Sequence, residues 1–360
     1  MPDRFWVRED EGYVPVVRAD DPDRWRRCVY SDIPLVVQVE DPPGTVPARV
    51  PSSSASMPRI VAAMLGCLKV GSGHSVLEIG TGTGYNAALL SARLGDEKVT
   101  TVEVDPGLAD RARRALRAAG HEPAVVTGDG ARGWPRAAPY DRLIATCAVH
   151  RVPYAWVEQT APGGIIVVPW GTALHNGVLL QLTVHHGVGG PVARGPVVED
   201  SAFMWLRAQT PLRDVMSAVR HAPEAVVTRT RLDPRYPLGD TDAAFAVGVM
   251  VPGVSRSIGH GPDGEWTLWL ADAATGSWAS LDYVPEARDF EVQQYGPRAL
   301  WAEVERAYRW WTRAGSPQRT RYGLTVTAEG QRVWLDRPDS PVPELPSEST
   351  TRTRARPHRP

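Results

Sequence analysis

VLEIGTGTGYNAALL, residues Val76 to Leu90, is the stretch whose reading decides the fold. Val76 to Ile79 is a short apolar run of strand length, and Gly80, Gly82 and Gly84 follow it as a turn whose backbone can approach a ligand closely. Tyr85 to Leu94 then reads as a helix. Strand, glycine turn and helix in that order form the ligand-facing unit of an open α/β sheet, which binds at the carboxyl ends of its strands. Upstream, Ile60, Val61, Met64, Leu65 and Leu68 recur at helical spacing behind Pro58. Downstream, Val99 to Val104 reads as a strand, and Pro106 to Ala119 as a helix stopped by Gly120. Strands are expected at Ala124 to Thr127, Arg142 to Thr146, Ile165 to Pro169 and Val178 to Thr183, with a short helix from Pro153 and a turn at Pro162-Gly163-Gly164. This alternation predicts an α/β, Rossmann-like, doubly wound and mostly parallel sheet.

The acids near the turn narrow the ligand. A dinucleotide fingerprint requires a third Gly or Ala where Tyr85 stands, and Glu78 two residues before Gly80 would repel a pyrophosphate. The same carboxylate suits the cationic end of an aminoacyl sulfonium such as S-adenosylmethionine (SAM). The second strand ends in VEVDP, which puts Glu103 where it can accept ribose hydroxyls, and the third ends in GDG, which offers Asp129 and Gly130 to an adenine. The donor set read from these loops is therefore Glu78, Gly80, Thr81, Gly82, Thr83, Gly84, Glu103, Asp129 and Gly130, with SAM favoured over NAD or FAD and over a purely structural turn. His74, His121, His150 and the pair His185-His186 have no metal-ligand spacing, so no metal is expected.

The order EIGTGTGYNAALL, GDG, APYDRLIAT (Ala138 to Thr146) and VPYAWVEQTAPGGIIVVPWG (Val152 to Gly171) resembles the protein-L-isoaspartate O-methyltransferase family, and YSDIPL (Tyr30 to Leu35) is similar to an element upstream of its core. The resemblance covers residues 30 to 172. It implies a SAM-dependent methyltransferase fold and a carboxylate acceptor on a protein or peptide bearing Asp or isoAsp. It also aligns Ser54-Ala55-Ser56-Met57-Pro58 with the family's acceptor-contact motif, so that Ser56 matches the active-site serine and Ser54 the motif's threonine. Without that alignment, PSSSASMP would read as a flexible linker whose last serine caps the following helix.

Several features depart from the family. Only 29 residues precede YSDIPL, so the expectation is that the true start lies upstream of Met1. Arg59-Ile60 replaces the family's residues after the active-site proline, and the loop from Leu35 to Ser52 differs from a short glycine-rich connection, which points to altered acceptor recognition. Beyond Ala202 the βαβ rhythm stops, and eight of the thirteen tryptophans lie there. Strands are expected at Ala243 to Val251, Glu265 to Ala271 and Ser277 to Tyr283, and a helix from Pro297 to Ala314 whose Trp301, Trp310 and Trp311 serve core or interface. The expected organisation is a loop-rich segment 1–51, a methyltransferase domain 52–201, a second α+β domain 202–335 and a disordered tail 336–360, the last carrying six prolines. The second domain resembles extensions on actinobacterial relatives that act in ribosomal-peptide maturation.

Lys+Arg 40 against Asp+Glu 41 provides no basic field for nucleic acid. Three scattered cysteines, no apolar leader and no apolar run of membrane length place the chain in the cytoplasm, with no membrane partner. Three functions remain open: methylation of isoaspartyl residues in damaged proteins, Asp methylation and aspartimide formation in a cyclised precursor peptide, and a non-catalytic SAM-binding scaffold.

Overall fold

In the computed structural model, described for residues 1–10, 12–40, 50–187, 189–211, 215, 219 and 225–344, the chain divides into two compact units. Most of the expected tail, residues 345–360, and part of the divergent loop, residues 41–49, lie outside the described residues.

The first unit begins with a sheet where a loop-rich segment was expected. Strands β1 (Arg4–Glu9), β2 (Gly12–Val17), β3 (Leu35–Glu40) and β4 (Val50–Ala55) pair antiparallel in the order β2-β1-β3-β4, with helix α1 (Pro22–Val29) between the second and third. Phe5, Val7, Val16, Leu35 and Ala55 form its own small core. The period of two is present in β1, where Phe5 and Val7 are buried between the less buried Arg4, Trp6 and Arg8, but six residues with an aromatic in an outward position are too short a run to announce it.

β4 leads directly into α2 (Pro58–Leu68), then β5 (Val76–Ile79), α3 (Tyr85–Leu94), β6 (Val99–Glu103), α4 (Pro106–Ala118), β7 (Ala124–Thr127), β8 (Tyr140–Ala145), α5 (Tyr154–Glu158), β9 (Thr160–Gly171), β10 (Asn176–Gly187) and β11 (Gly190–Asp200). β5 pairs parallel with β6 and β8, β6 with β7, and β8 with β9, whereas β10 and β11 pair antiparallel. One apolar cluster, Met64, Leu68, Val76, Leu90, Val99, Ile144, Val167 and Leu179, packs α2 and α3 onto the sheet. Each such side chain contributes about 1.5–3 kcal/mol by leaving water. The predicted turn at Pro162-Gly163-Gly164 lies inside β9 instead: the register against β8 jumps from Tyr140↔Thr160 to Arg142↔Ile165, and the excess residues bulge through Gly163 at φ +75°.

The second unit is built on an antiparallel sheet of β12 (Val226–Thr230), β13 (Val254–His260), β14 (Trp266–Asp272), β15 (Ser277–Tyr283) and β16 (Phe290–Tyr295), in the order β12-β16-β15-β14-β13. Helices α6 (Arg235–Gly239) and α7 (Thr241–Met250) precede β13, and α8 (Leu300–Arg313) follows β16. The strand expected at Ala243 to Val251 is thus helical. A short apolar run does not distinguish a buried helix from a buried strand, and here the deciding signal is Asp240, whose carboxylate caps the backbone amides of Asp242 and Ala243, both at 2.9 Å. The apolar residues of α7 are buried all round, which removes the one-sided stripe that usually marks a helix. Trp301 and Trp311 of α8 are buried. The last two strands, β17 (Tyr322–Thr327) and β18 (Gly330–Leu335), expected in the second domain, complete a nine-stranded sheet of order β18-β17-β11-β10-β9-β8-β5-β6-β7. Among the described residues no helix is long and apolar enough to cross a membrane.

Candidate functional site

The glycine turn sits at the carboxyl ends of β5, β6 and β8. Gly80 donates to the carbonyl of Val102 at 2.9 Å, and Thr146, just past β8, donates its amide to Ile79 at 2.8 Å and its hydroxyl to the Gly80 carbonyl at 2.6 Å. At Gly80, φ is +96° and a Cβ would stand 2.7 Å from Thr146 Oγ1, so both conformation and space demand glycine. Gly82 has φ +53° and a built Cβ would touch the Ser54 carbonyl at 3.5 Å, which shows how closely β4 lies over the turn.

That closeness makes the pocket. A small cleft is lined by Ser54, Ser56, Glu78, Gly80, Thr81, Gly82 and Thr83, seven of the residues predicted from sequence. It brings the hydroxyls of the segment entering α2 onto the same space as the first-strand acid. α2 is held there by the YSDIPL element: Asp32 accepts from the Arg59 amide at 2.8 Å and pairs with Arg59 Nε at 2.9 Å. The linker reading of PSSSASMP does not describe this segment, because Ser54 lies in β4 and the helix cap is Met57, with no side-chain cap bond. Neither the Ser54 nor the Ser56 hydroxyl has a protein hydrogen-bond partner among the described residues.

Glu78 is fully buried. Asn86 Nδ2 donates to its Oε1 at 2.7 Å, and the other carboxylate oxygen has no partner at hydrogen-bonding distance among the described residues. Burial, assisted by the nearby Glu103 charge, pushes the carboxyl up to about 7 against the opposing pull of the Thr101 hydroxyl and the Asn86 amide. An arriving cation would favour the ionised form of this carboxyl.

The remaining predicted residues stand on neighbouring strand ends, outside this pocket. Gly84 caps α3 and presses on Leu116 of α4. Glu103 accepts the amides of Gly82 at 2.9 Å and Asp105 at 3.1 Å, so it braces the turn. Asp129 accepts the Ala131 amide at 2.9 Å, and Gly130 is buried under Ile79. The pocket also contains Val61, Tyr85, Asn86 and Thr146, which sequence reading did not single out. Asn86 was legible only as a polar residue in the first turn of α3, ahead of the apolar run Ala87 to Leu90. Cys147, next to Thr146, has its thiol pushed up to about 12 by burial and the Glu103 charge, which makes it a poor nucleophile. No cluster of metal-ligating side chains occurs among the described residues.

Residues 16–187 match the family model for protein-L-isoaspartate(D-aspartate) O-methyltransferase. A protein-L-isoaspartate O-methyltransferase of Ignicoccus hospitalis is 41% identical over 150 residues, 41% of this chain and 65% of its own length. One from Gloeobacter violaceus is 40% identical over 163 residues, 45% of this chain and 73% of its own. The chain therefore spans a little under two thirds of the first relative. A solved protein-L-isoaspartate O-methyltransferase structure is similar over 87% of this chain and 89% of its own, at 22% identity and a TM-score of 0.48. With the glycine turn, the buried acid and the serine-bearing strand on one cleft inside the matched residues 16–187, and a relative 40% identical over 73% of its own length, the chain belongs to the protein-L-isoaspartate O-methyltransferase family.

Proposed function

We propose that this protein transfers a methyl group from SAM to a carboxylate of an isoaspartyl or aspartyl residue in a polypeptide. The observation that carries the reading is the shared cleft, in which a buried acid without a counter-cation and two unengaged serine hydroxyls line one space. Glu78 and the glycine turn bind the donor, with Glu103 and Asp129 at its nucleoside end, and Ser56, assisted by Ser54, holds the acceptor. The acceptor needs no general base, since its free pKa is about 4 and it arrives ionised. Its oxygen attacks the methyl carbon, the carbon–sulfur bond breaks with its electron pair passing to sulfur, and a methyl ester and S-adenosylhomocysteine result. Catalysis is then positioning, which can contribute roughly 7–11 kcal/mol, and a neutral hydroxyl can orient the carboxylate without quenching it. In the ester, the next backbone nitrogen can attack the carbonyl and expel methanol, closing a succinimide. The three free thiols fit a reducing, cytoplasmic setting.

A second reading, Asp methylation in a ribosomally made, cyclised peptide, is favoured by the second unit, most of which lies outside the family match. A methyl-transfer assay with an isoAsp peptide, its Asp twin and a lactam-cyclised Asp peptide decides between them. Turnover of the isoAsp peptide is the expected result; turnover confined to the cyclised peptide transfers the assignment to maturation, and inertness toward all three in a SAM-binding protein leaves a scaffold.

A further inference from the structure

Asn86, in the first turn of α3, is 7% exposed and lines the cleft. Its Nδ2 is committed to Glu78 Oε1 at 2.7 Å, so its Oδ1 is turned elsewhere, and this oxygen, like Glu78 Oε2, has no partner. Two buried acceptor oxygens on hydrogen-bonded side chains, without a donor among the described residues, are tolerated where a ligand completes them. Among the described residues that line the cleft there is no Lys, Arg or His, and Glu103 stands behind the turn, accepting the Gly82 amide. An ammonium answers this wall, with one charge and three N–H donors, whereas a carboxylate or phosphate is repelled.

We infer that Asn86 is a specificity residue for the methyl donor: it orients the Glu78 carboxylate and adds a second acceptor, so that the pair reads the donor's α-ammonium and rejects ligands lacking it. The inference rests on the donor reading above and extends it to a residue of α3. Isothermal titration with S-adenosylhomocysteine and its deaminated analogue tests it. The wild type is expected to prefer the amine by about 100-fold, and Asn86→Leu to reduce that preference to about tenfold, chiefly through weaker binding of S-adenosylhomocysteine. A preference in N86L equal to that of the wild type overturns the role of Asn86. Should N86L fail to fold, Asn86→Ser, which keeps a small polar side chain without the amide's reach, carries the same expectation. A wild type that binds both ligands equally overturns the subsite while leaving the donor assignment standing, and one that binds neither overturns the donor assignment itself.

Discussion

Two buried acid sites in this protein are handled in opposite ways. In the second unit, Asp272 at the end of β14 and Glu303 in α8 both engage Arg298, with Asp272 Oδ2 at 2.8 Å from its Nη1 and Glu303 Oε1 at 3.2 Å from its Nε. Thr275 and the Ala274 amide add hydrogen bonds to Asp272. Burial alone would raise Asp272, yet the bonds from Thr275, Arg298 and Ala274 outweigh it and hold the carboxyl below its ordinary range. In the first unit, Glu78 is more deeply buried and has the Asn86 amide and the Thr101 hydroxyl beside it but no cation pairing it among the described residues, and burial wins. A satisfied buried charge fastens elements together; an unsatisfied one leaves binding energy for something that arrives later.

Removing the cation from the satisfied site is the harshest test of that contrast. Arg298→Ala strands two buried carboxylates and is expected to destabilise the second unit by about 3–5 kcal/mol in denaturant unfolding, with S-adenosylhomocysteine affinity measured in the folded protein unchanged. A loss under 1 kcal/mol would mean that the triad holds nothing.

Glu78→Gln sharpens the other side. In the wild type the unfolded chain ionises this carboxyl near 4.5 and the folded protein only near 7. Its contribution to stability is therefore complete below the unfolded value and is lost as pH rises through the folded one, by roughly 3 kcal/mol across that window. E78Q has no such slope, so it should be more stable than the wild type at pH 8 and bind S-adenosylhomocysteine far more weakly. Parallel pH–stability curves for the two proteins would show that Glu78 is solvated after all.

The smallest effect concerns the acceptor side of the cleft. Ser56→Ala removes one hydroxyl from a site that works by positioning, and turnover should fall roughly 10- to 100-fold while S-adenosylhomocysteine affinity stays within a factor of about two. An unchanged rate removes Ser56 from the mechanism.

Much of this was legible in sequence because the relevant residues are neighbours along the chain. The acid, the glycine turn after it and the helix that follows occupy seventeen consecutive positions, Glu78 to Leu94, and a strand–turn–helix has few ways to fold. The four-stranded N-terminal sheet was not legible, since its strands are six residues long and its core is assembled from Phe5, Val16, Leu35 and Ala55, up to fifty residues apart. Nor was α7, where apolar residues on every side erase the period and only the Asp240 cap marks the start. By itself, then, the sequence determined the parallel core, the family and the chemistry of the turn, all of which depend on local order. Tertiary structure alone decided that β4 lies over that turn, that Asn86 faces Glu78, and that no cation among the described residues pairs with Glu78, because burial and the company a charge keeps depend on which distant segments pack against it.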